Sequence, residues 1–339
     1  MLARKLTCQL SAAPLIILTM LAANRLPGAG IPAAAAPAPR DAVTCIDYLG
    51  WHDALLLSNG VAEVVIVPAI GRVMQFRFAG EQDGPFWANP TLLGQGLNPA
   101  SSDWVNLGGD KAWPSPQAAW SRVARRGWPP PVGFDGLPME AARDGAAVIL
   151  LSAVDPSYGM RVRRRIELAA DRPVMTITTR YEKVAGAAME VGVWTITQTR
   201  DPVAVYAVLP DAPRPTSAYV RMSDELPANL TTGEGLVGLT RAPQKNRKIG
   251  ALAGTLVWVG PRELLRIDSP LVPGARYPDE GSSVEIYTNE DPLAYVELEV
   301  LGPVEKLAVG DHSERQTIYT LARRTAKDPA TEVRRLLGR

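Results

Sequence analysis

Short apolar runs separated by glycine and proline constrain this chain more than any other feature. In "ALLLSNGVAEVVIVPAIGRVMQFRFAG" (54–80) three such runs are interrupted by Ser-Asn-Gly and then by Pro-Ala-Ile-Gly. Turn residues between short apolar runs favour an antiparallel meander over a helix. The same punctuation continues along the chain, supplied by 30 prolines and 29 glycines in 339 residues. Strands are expected at 146–154, 159–168, 173–182, 190–199, 203–209, 217–222, 252–259, 262–268, 284–288, 293–301 and 314–323. In "GMRVRRRIEL" (159–168), Arg161, Arg163, Arg165 and Glu167 share one face, with Met160, Val162, Ile166 and Leu168 opposite. Only "PATEVRRLLGR" (329–339) carries helical patterning. At least a dozen strands with almost no helix predict an all-β, antiparallel sandwich with a short C-terminal helix.

The N-terminus has a different character. Arg4 and Lys5 precede the apolar stretch "AAPLIILTMLAA" (12–23), and small residues follow in "GIPAAAAPAP". That order is the pattern of an export signal, and the apolar stretch is shorter than the roughly 20 residues that span a bilayer. The expected organisation is a signal peptide over 1–36, a linker over 37–47, one β domain over 48–325 and a helical tail over 326–339. Cys8 precedes the apolar core and is not placed for lipid attachment. Cleavage leaves Cys45 alone, without an intrachain disulfide. The mature protein is expected to be periplasmic or extracellular, with no stable membrane span. A net charge of +1 excludes the strongly basic footprint of a nucleic-acid binder.

Residues 81–145 lack sustained periodicity yet hold five of the eight tryptophans: Trp87, Trp104, Trp113, Trp120 and Trp128. Within them, "VNLGGDKAWPSPQAAW" (105–120) is not a phosphate loop, because Lys111 is followed by Ala-Trp-Pro rather than Ser or Thr. It reads instead as a Pro-stiffened loop walled by tryptophan, a residue with a flat apolar face and one N–H donor. Asn106, Asp110, Lys111 and Gln117 supply its polar groups. Packing of the loop onto the sandwich is the alternative use of its tryptophans.

A second feature lies in "LAYVELEVLGP" (293–303). At period two, Leu293, Tyr295, Glu297, Glu299 and Leu301 point one way, and Ala294, Val296, Leu298 and Val300 point into a core. Carboxylates at i and i+2 lie about 6–7 Å apart along a strand, close enough to separate acid from base roles. A solvated strand face is the plainer explanation. In "EVGVWTITQT" (190–199), Trp194, Ile196 and Gln198 share a face. Arg72 follows a glycine turn at the start of a strand, a suitable place for a hydroxyl-binding guanidinium, and Lys248 is a weaker basic candidate. His52 and His312 are the only histidines and have no metal spacing, and Asp103, Asp110 and Asp135 are too scattered for a calcium loop. No Gly-x-Ser-x-Gly elbow occurs. No metal and no cofactor is expected.

The order "GRVMQFRF … WVNLGGDKAWPSPQAAW … RRRIELAADRPVMTITTRYEKV … VGVWTITQ … YVELEVLGP" resembles the galactose-mutarotase-like (aldose epimerase-like) superfamily, more closely a branch described as a domain of unknown function. The resemblance spans roughly 48–323, and its most specific parts are the Gly-Gly-Asp-Lys-x-Trp-Pro block and the Glu-x-Glu strand. It implies a β-supersandwich with a carbohydrate site on its concave face. It also implies a Glu base, matched by Glu297 or Glu299 with Glu297 preferred, and a His acid. The strand where that His falls offers Trp194 and Gln198 instead, and neither is a general acid near neutral pH. The leading expectation is an exported carbohydrate-binding protein on this scaffold. The alternatives are a sugar epimerase or isomerase-type enzyme, with Glu297 as base and Lys111, Arg72 or Tyr295 as partner, and a non-catalytic envelope interaction protein.

Overall fold

The computed structural model describes residues 4–5, 43–98, 101, 103–211 and 217–338. Apart from Arg4–Lys5, the segment read as a signal peptide lies outside the described residues, as do 37–42 of the segment read as linker. In chain order the strands are β1 (Arg4–Lys5), β2 (Val43–Tyr48), β3 (Trp51–Ser58), β4 (Ala62–Val67), β5 (Arg72–Phe78) and β6 (Asp110–Ser115). Next come β7 (Glu140–Asp144), β8 (Ala147–Leu151), β9 (Met160–Leu168), β10 (Val174–Lys183), β11 (Met189–Arg200) and β12 (Ala204–Val208). Short strands β13 (Val220–Arg221), β14 (Thr231–Gly233) and β15 (Leu236–Leu239) precede β16 (Arg247–Ala251), β17 (Thr255–Val259) and β18 (Glu263–Asp268). The last are β19 (Val284–Thr288), β20 (Tyr295–Leu301), β21 (Glu305–Leu307) and β22 (His312–Arg323), before the helix Pro329–Leu336.

These strands form two antiparallel sheets. One runs β1-β7-β8-β9-β10-β22-β18-β17-β12-β15-β14, and the other β13-β16-β19-β20-β11-β6-β5-β4-β3-β2 with β21 beside β11. The meander expected over 54–80 is β3-β4-β5 at one end of the second sheet. Between the sheets lies a core that includes Val64, Ile66, Phe76, Ile166, Ile177, Leu265, Leu298 and Tyr319. Full burial of each Val, Leu, Ile or Phe contributes about 1.5–3 kcal/mol, so interior alternation on both sheets holds the layers together. The C-terminal helix is capped by Asp328, which accepts from Thr331 N at 2.7 Å, and it packs Val333 against Tyr206, Val257 and Leu264. No helix among the described residues is long and apolar enough to cross a membrane.

In the uncleaved chain Cys45 is disulfide-bonded; the expected lone cysteine refers to the cleaved chain. Two expectations need correcting. The β body begins at Val43, inside the stretch read as linker. The region 81–145 is not without elements, because it contains β6 and β7. All six residues of β6 are buried, so the strand has no polar–apolar alternation to reveal it, and Pro114 argues against a central strand. Pro114 nevertheless sits opposite Val193, and its carbonyl accepts from Trp120 Nε1 at 2.7 Å.

The Gly-Gly pair is what threads β6 into the sheet. Gly108 and Gly109 have φ of 90° and 74°, in the left-handed region that glycine enters at no steric cost. A Cβ on Gly108 would stand 2.3 Å from the Trp87 carbonyl oxygen. In that tight passage Gly109 N donates to Trp87 O at 2.8 Å, and Gln198 N donates to Gly109 O at 3.0 Å.

Candidate functional site

Strand β11 is the axis of the site. It pairs with β6 on one side and β20 on the other, and β20 continues into β19 and β16. Residues directly opposite each other in antiparallel neighbours share a face. Lys111, Ile196, Glu299 and Glu285 therefore form one row across four strands. Gln198, Glu297, Tyr287 and Lys248 form the next. A third row holds Trp113, Trp194 and Leu301. The opposite face of the same strands carries Val296, Leu298 and Val300 into the core, so period-two patterning alone separates chemistry from packing on β20.

Glu297 is the carboxylate at the centre. Its Oε1 accepts from Gln198 Nε2 at 2.7 Å and lies 3.6 Å from Lys111 Nζ. The Glu297 side chain keeps 12% exposure and Lys111 keeps 1%. Burial pushes the Glu297 carboxyl up and the Lys111 ammonium down, and their mutual attraction opposes both shifts. Lys111 Nζ also lies 4.6 Å from the centre of the Trp113 ring and 5.7 Å from that of Trp104, where the ring faces stabilise a cation. Lys111 Nζ and Gln198 Oε1 are both buried and lack hydrogen-bond partners among the described residues.

Glu299, two residues on, has a different environment. It is fully buried, and its Oε2 accepts from Trp194 Nε1 at 2.8 Å and from Lys248 Nζ at 2.9 Å. Lys248 Nζ reaches Glu285 Oε2 at 2.5 Å and lies 4.9 Å from the Trp194 ring centre. Burial raises the Glu299 carboxyl to about 7, against the pull of Lys248. Lys248, the weaker basic candidate, belongs to β16 and clamps two buried glutamates. Glu299, offered as a catalytic candidate, has 0% exposure, and its Oε2 holds Lys248 and Trp194.

Several other candidates are placed elsewhere. Arg72 has 0% exposure; its guanidinium donates to Asp135 O, to Asp135 Oδ1 at 3.0 Å and to Gly108 O at 2.6 Å. It braces the wall and presents no donor to a ligand. Asp110 points between the sheets, where Arg164 pairs with Oδ1 while Thr197 and Tyr319 hydroxyls donate to Oδ2 at 2.7 and 2.6 Å. Its place in a ligand site is thereby corrected, since it is an internal tie between the sheets. Trp113 is 4% exposed and touches Trp104, Trp120, Trp128 and Trp194, so it is a packing hub and not an open platform. Tyr295 stacks on Trp87 at 4.6 Å, with Asn106 near its buried hydroxyl. Gln117 and Trp194 do reach the site, on the wall of a cleft of about 290 Å³ that also includes Lys248 and Glu285.

Asp135, Glu285 and Asp279 escaped the sequence reading as site residues. Asp135 accepts from the indole N–H groups of Trp104 and Trp113, each at 2.9 Å, as well as from Arg72. Its signal was weak, a single acid in "GFDGLP". Glu285 carried a better one, a lone acid between Val284 and Ile286 in an otherwise apolar strand.

No protein-family model matches the chain, and no curated protein matches it. Solved structures do match. A galactose mutarotase-like protein from Lactobacillus casei aligns with a TM-score of 0.55 at 8% identity, covering 79% of this chain and 100% of that one. One from Clostridium acetobutylicum gives 0.52 at 8% identity, covering 83% and 98%. A galactose mutarotase related enzyme from Lactobacillus acidophilus gives 0.50 at 10% identity, covering 81% and 98%.

Proposed function

From the galactose mutarotase-like fold that this chain has, we propose that it is an exported carbohydrate-binding protein whose ligand meets the concave face at Glu297. The observation that carries this reading is the Glu297–Lys111 pair. The accessible carboxylate, an amine 3.6 Å away and the Gln198 amide converge on one point, with Lys111 Nζ and Gln198 Oε1 left unbonded among the described residues. A buried polar atom without a partner costs about 1–3 kcal/mol, and sugar hydroxyls, which both donate and accept, can satisfy a donor and an acceptor together. The mutarotase-like solved structures support sugar as the ligand class. Export rests on the leader pattern around residues 4–36, to be tested by sequencing the N-terminus of protein recovered outside the cytoplasm.

Aldose epimerase chemistry is the second reading, favoured by Lys111. Glu297 would take the proton of the anomeric hydroxyl while the C1–ring-oxygen bond breaks, and the Lys111 ammonium would protonate the ring oxygen. Rotation about C1–C2 and reclosure return both protons and give the other anomer. Burial lowers the Lys111 pKa, which makes it a better acid than an exposed lysine and a candidate for the histidine's role.

A thermal-shift and NMR screen of mono- and oligosaccharides tests both, using wild type, Glu297→Gln and Lys111→Met. Stabilisation by at least one sugar, lost in Glu297→Gln, is expected. Anomer exchange that disappears in both variants adds the catalytic reading. A protein that no sugar stabilises or perturbs would leave neither standing.

A further inference from the structure

Building on the carbohydrate reading, we infer that the cleft beside Glu297 is a subsite for a cationic nitrogen, and that the sugar bound is an amino sugar. The cleft, about 290 Å³, is lined by Gln117, Trp194, Lys248, Asp279, Glu280 and Glu285 together with exposed Arg221. That volume lies at the low end of ordinary ligand pockets. Lys248, which lines it, belongs to the Glu297 row.

Its lining is rich in carboxyls: Asp279, Glu280 and Glu285, with Glu299 directly behind Lys248, face Lys248 and Arg221, and burial raises the Asp279, Glu285 and Glu299 carboxyls. Lys248 is moreover already held by two of those carboxylates. Glu285 is 1% exposed and Glu299 0%, and Oε1 of each has no hydrogen-bond partner among the described residues. Glu285 lines the cleft in contact with Asp279 and Glu299, and its Oε1 is the buried acceptor that an entering N–H donor meets. Lys248 itself illustrates the chemistry, an ammonium held between carboxylates and over an indole face. Asp279 and Glu280 lie in the turn that closes the cleft, with φ of 49° and 59°, a region unusual for non-glycine residues.

A proton shared between Glu285 and Glu299 is the competing way to satisfy those oxygens, and only a ligand-binding site responds to added amine. NMR titration at low salt with glucosamine, galactosamine, glucose, galactose, N-acetylglucosamine and glucuronate separates the two. The amino sugars are expected to bind about tenfold more tightly than their parent hexoses, with glucuronate weakest and N-acetylation removing the gain. Exposed Glu280 permits Glu280→Gln without disturbing the core, and this variant is expected to cut the gain about two- to threefold. Added salt lowers the gain further. Amino sugars that bind no better than their parents would overturn this inference while the carbohydrate reading survives. If no sugar binds at all, that reading fails and the inference with it.

Discussion

Glu297 and Glu299 stand two residues apart on one strand face, yet their surroundings assign them different tasks. Glu297 keeps 12% of its side chain exposed between Gln198 and Lys111, whereas Glu299 is sealed beneath Lys248 and Trp194. The sequence shows that the two acids are paired but not which is open, because accessibility depends on strands far away in the chain. Glu299 also makes stability depend on pH. Burial lifts its carboxyl from 4.5 to about 7 in the folded state. A raised carboxyl binds its proton more tightly folded than unfolded. Its contribution is thus complete below about pH 4.5 and is lost as pH rises through about 7, up to about 3 kcal/mol. Urea denaturation from pH 4.5 to 8 is expected to show that decline, and Glu299→Gln to flatten it. An unchanged slope in the variant would remove Glu299 as the source.

At the scale of elements, β6 is the instructive case. Its glycines, prolines and tryptophans read as a loop, because local propensity argues against a strand there. Tertiary context overrides that propensity. Tyr181 Oη donates to Trp113 O at 2.6 Å, the Gly-Gly turn slots beneath Trp87, and six ladder positions pair with β11. The result is that Lys111, expected in a loop, projects from a central strand. Strands β11 and β20 were legible because alternating faces are a local property. Gly108→Ala tests the turn. With φ at 90° and only 2.3 Å between a new Cβ and Trp87 O, it is expected to cost more than about 2 kcal/mol. Thermal melting of the variant should fall by many degrees, while Gly60→Ala, whose Cβ meets nothing within 4 Å, should cost only the milder penalty of its positive φ.

Across the whole molecule, the two sheets are joined by apolar packing and by polar ties such as those of Tyr181 to Trp113 and of Asp110. Asp110 reaches from β6 to Arg164 on β9 and Tyr319 on β22, all buried in the core. Removing one partner strands a buried charge, so Asp110→Ala is expected to destabilise the protein by about 3–5 kcal/mol. Chemical denaturation measures this, and a loss below about 1 kcal/mol would show that the tie does not hold the layers. The sequence by itself determined the all-β class, the C-terminal helix, and the division of β20 into a face bearing Glu297 and Glu299 and a core face. Those follow from turn residues and period-two alternation, which act over a few neighbouring residues. Only the tertiary structure decided that Lys111 meets Glu297, that Asp110 and Arg72 turn away from the ligand face, and that Glu285 and Asp279 join the site. Each of those depends on which distant strands become neighbours and in which register, a choice made by the packing of the two sheets and not by any local run of residues.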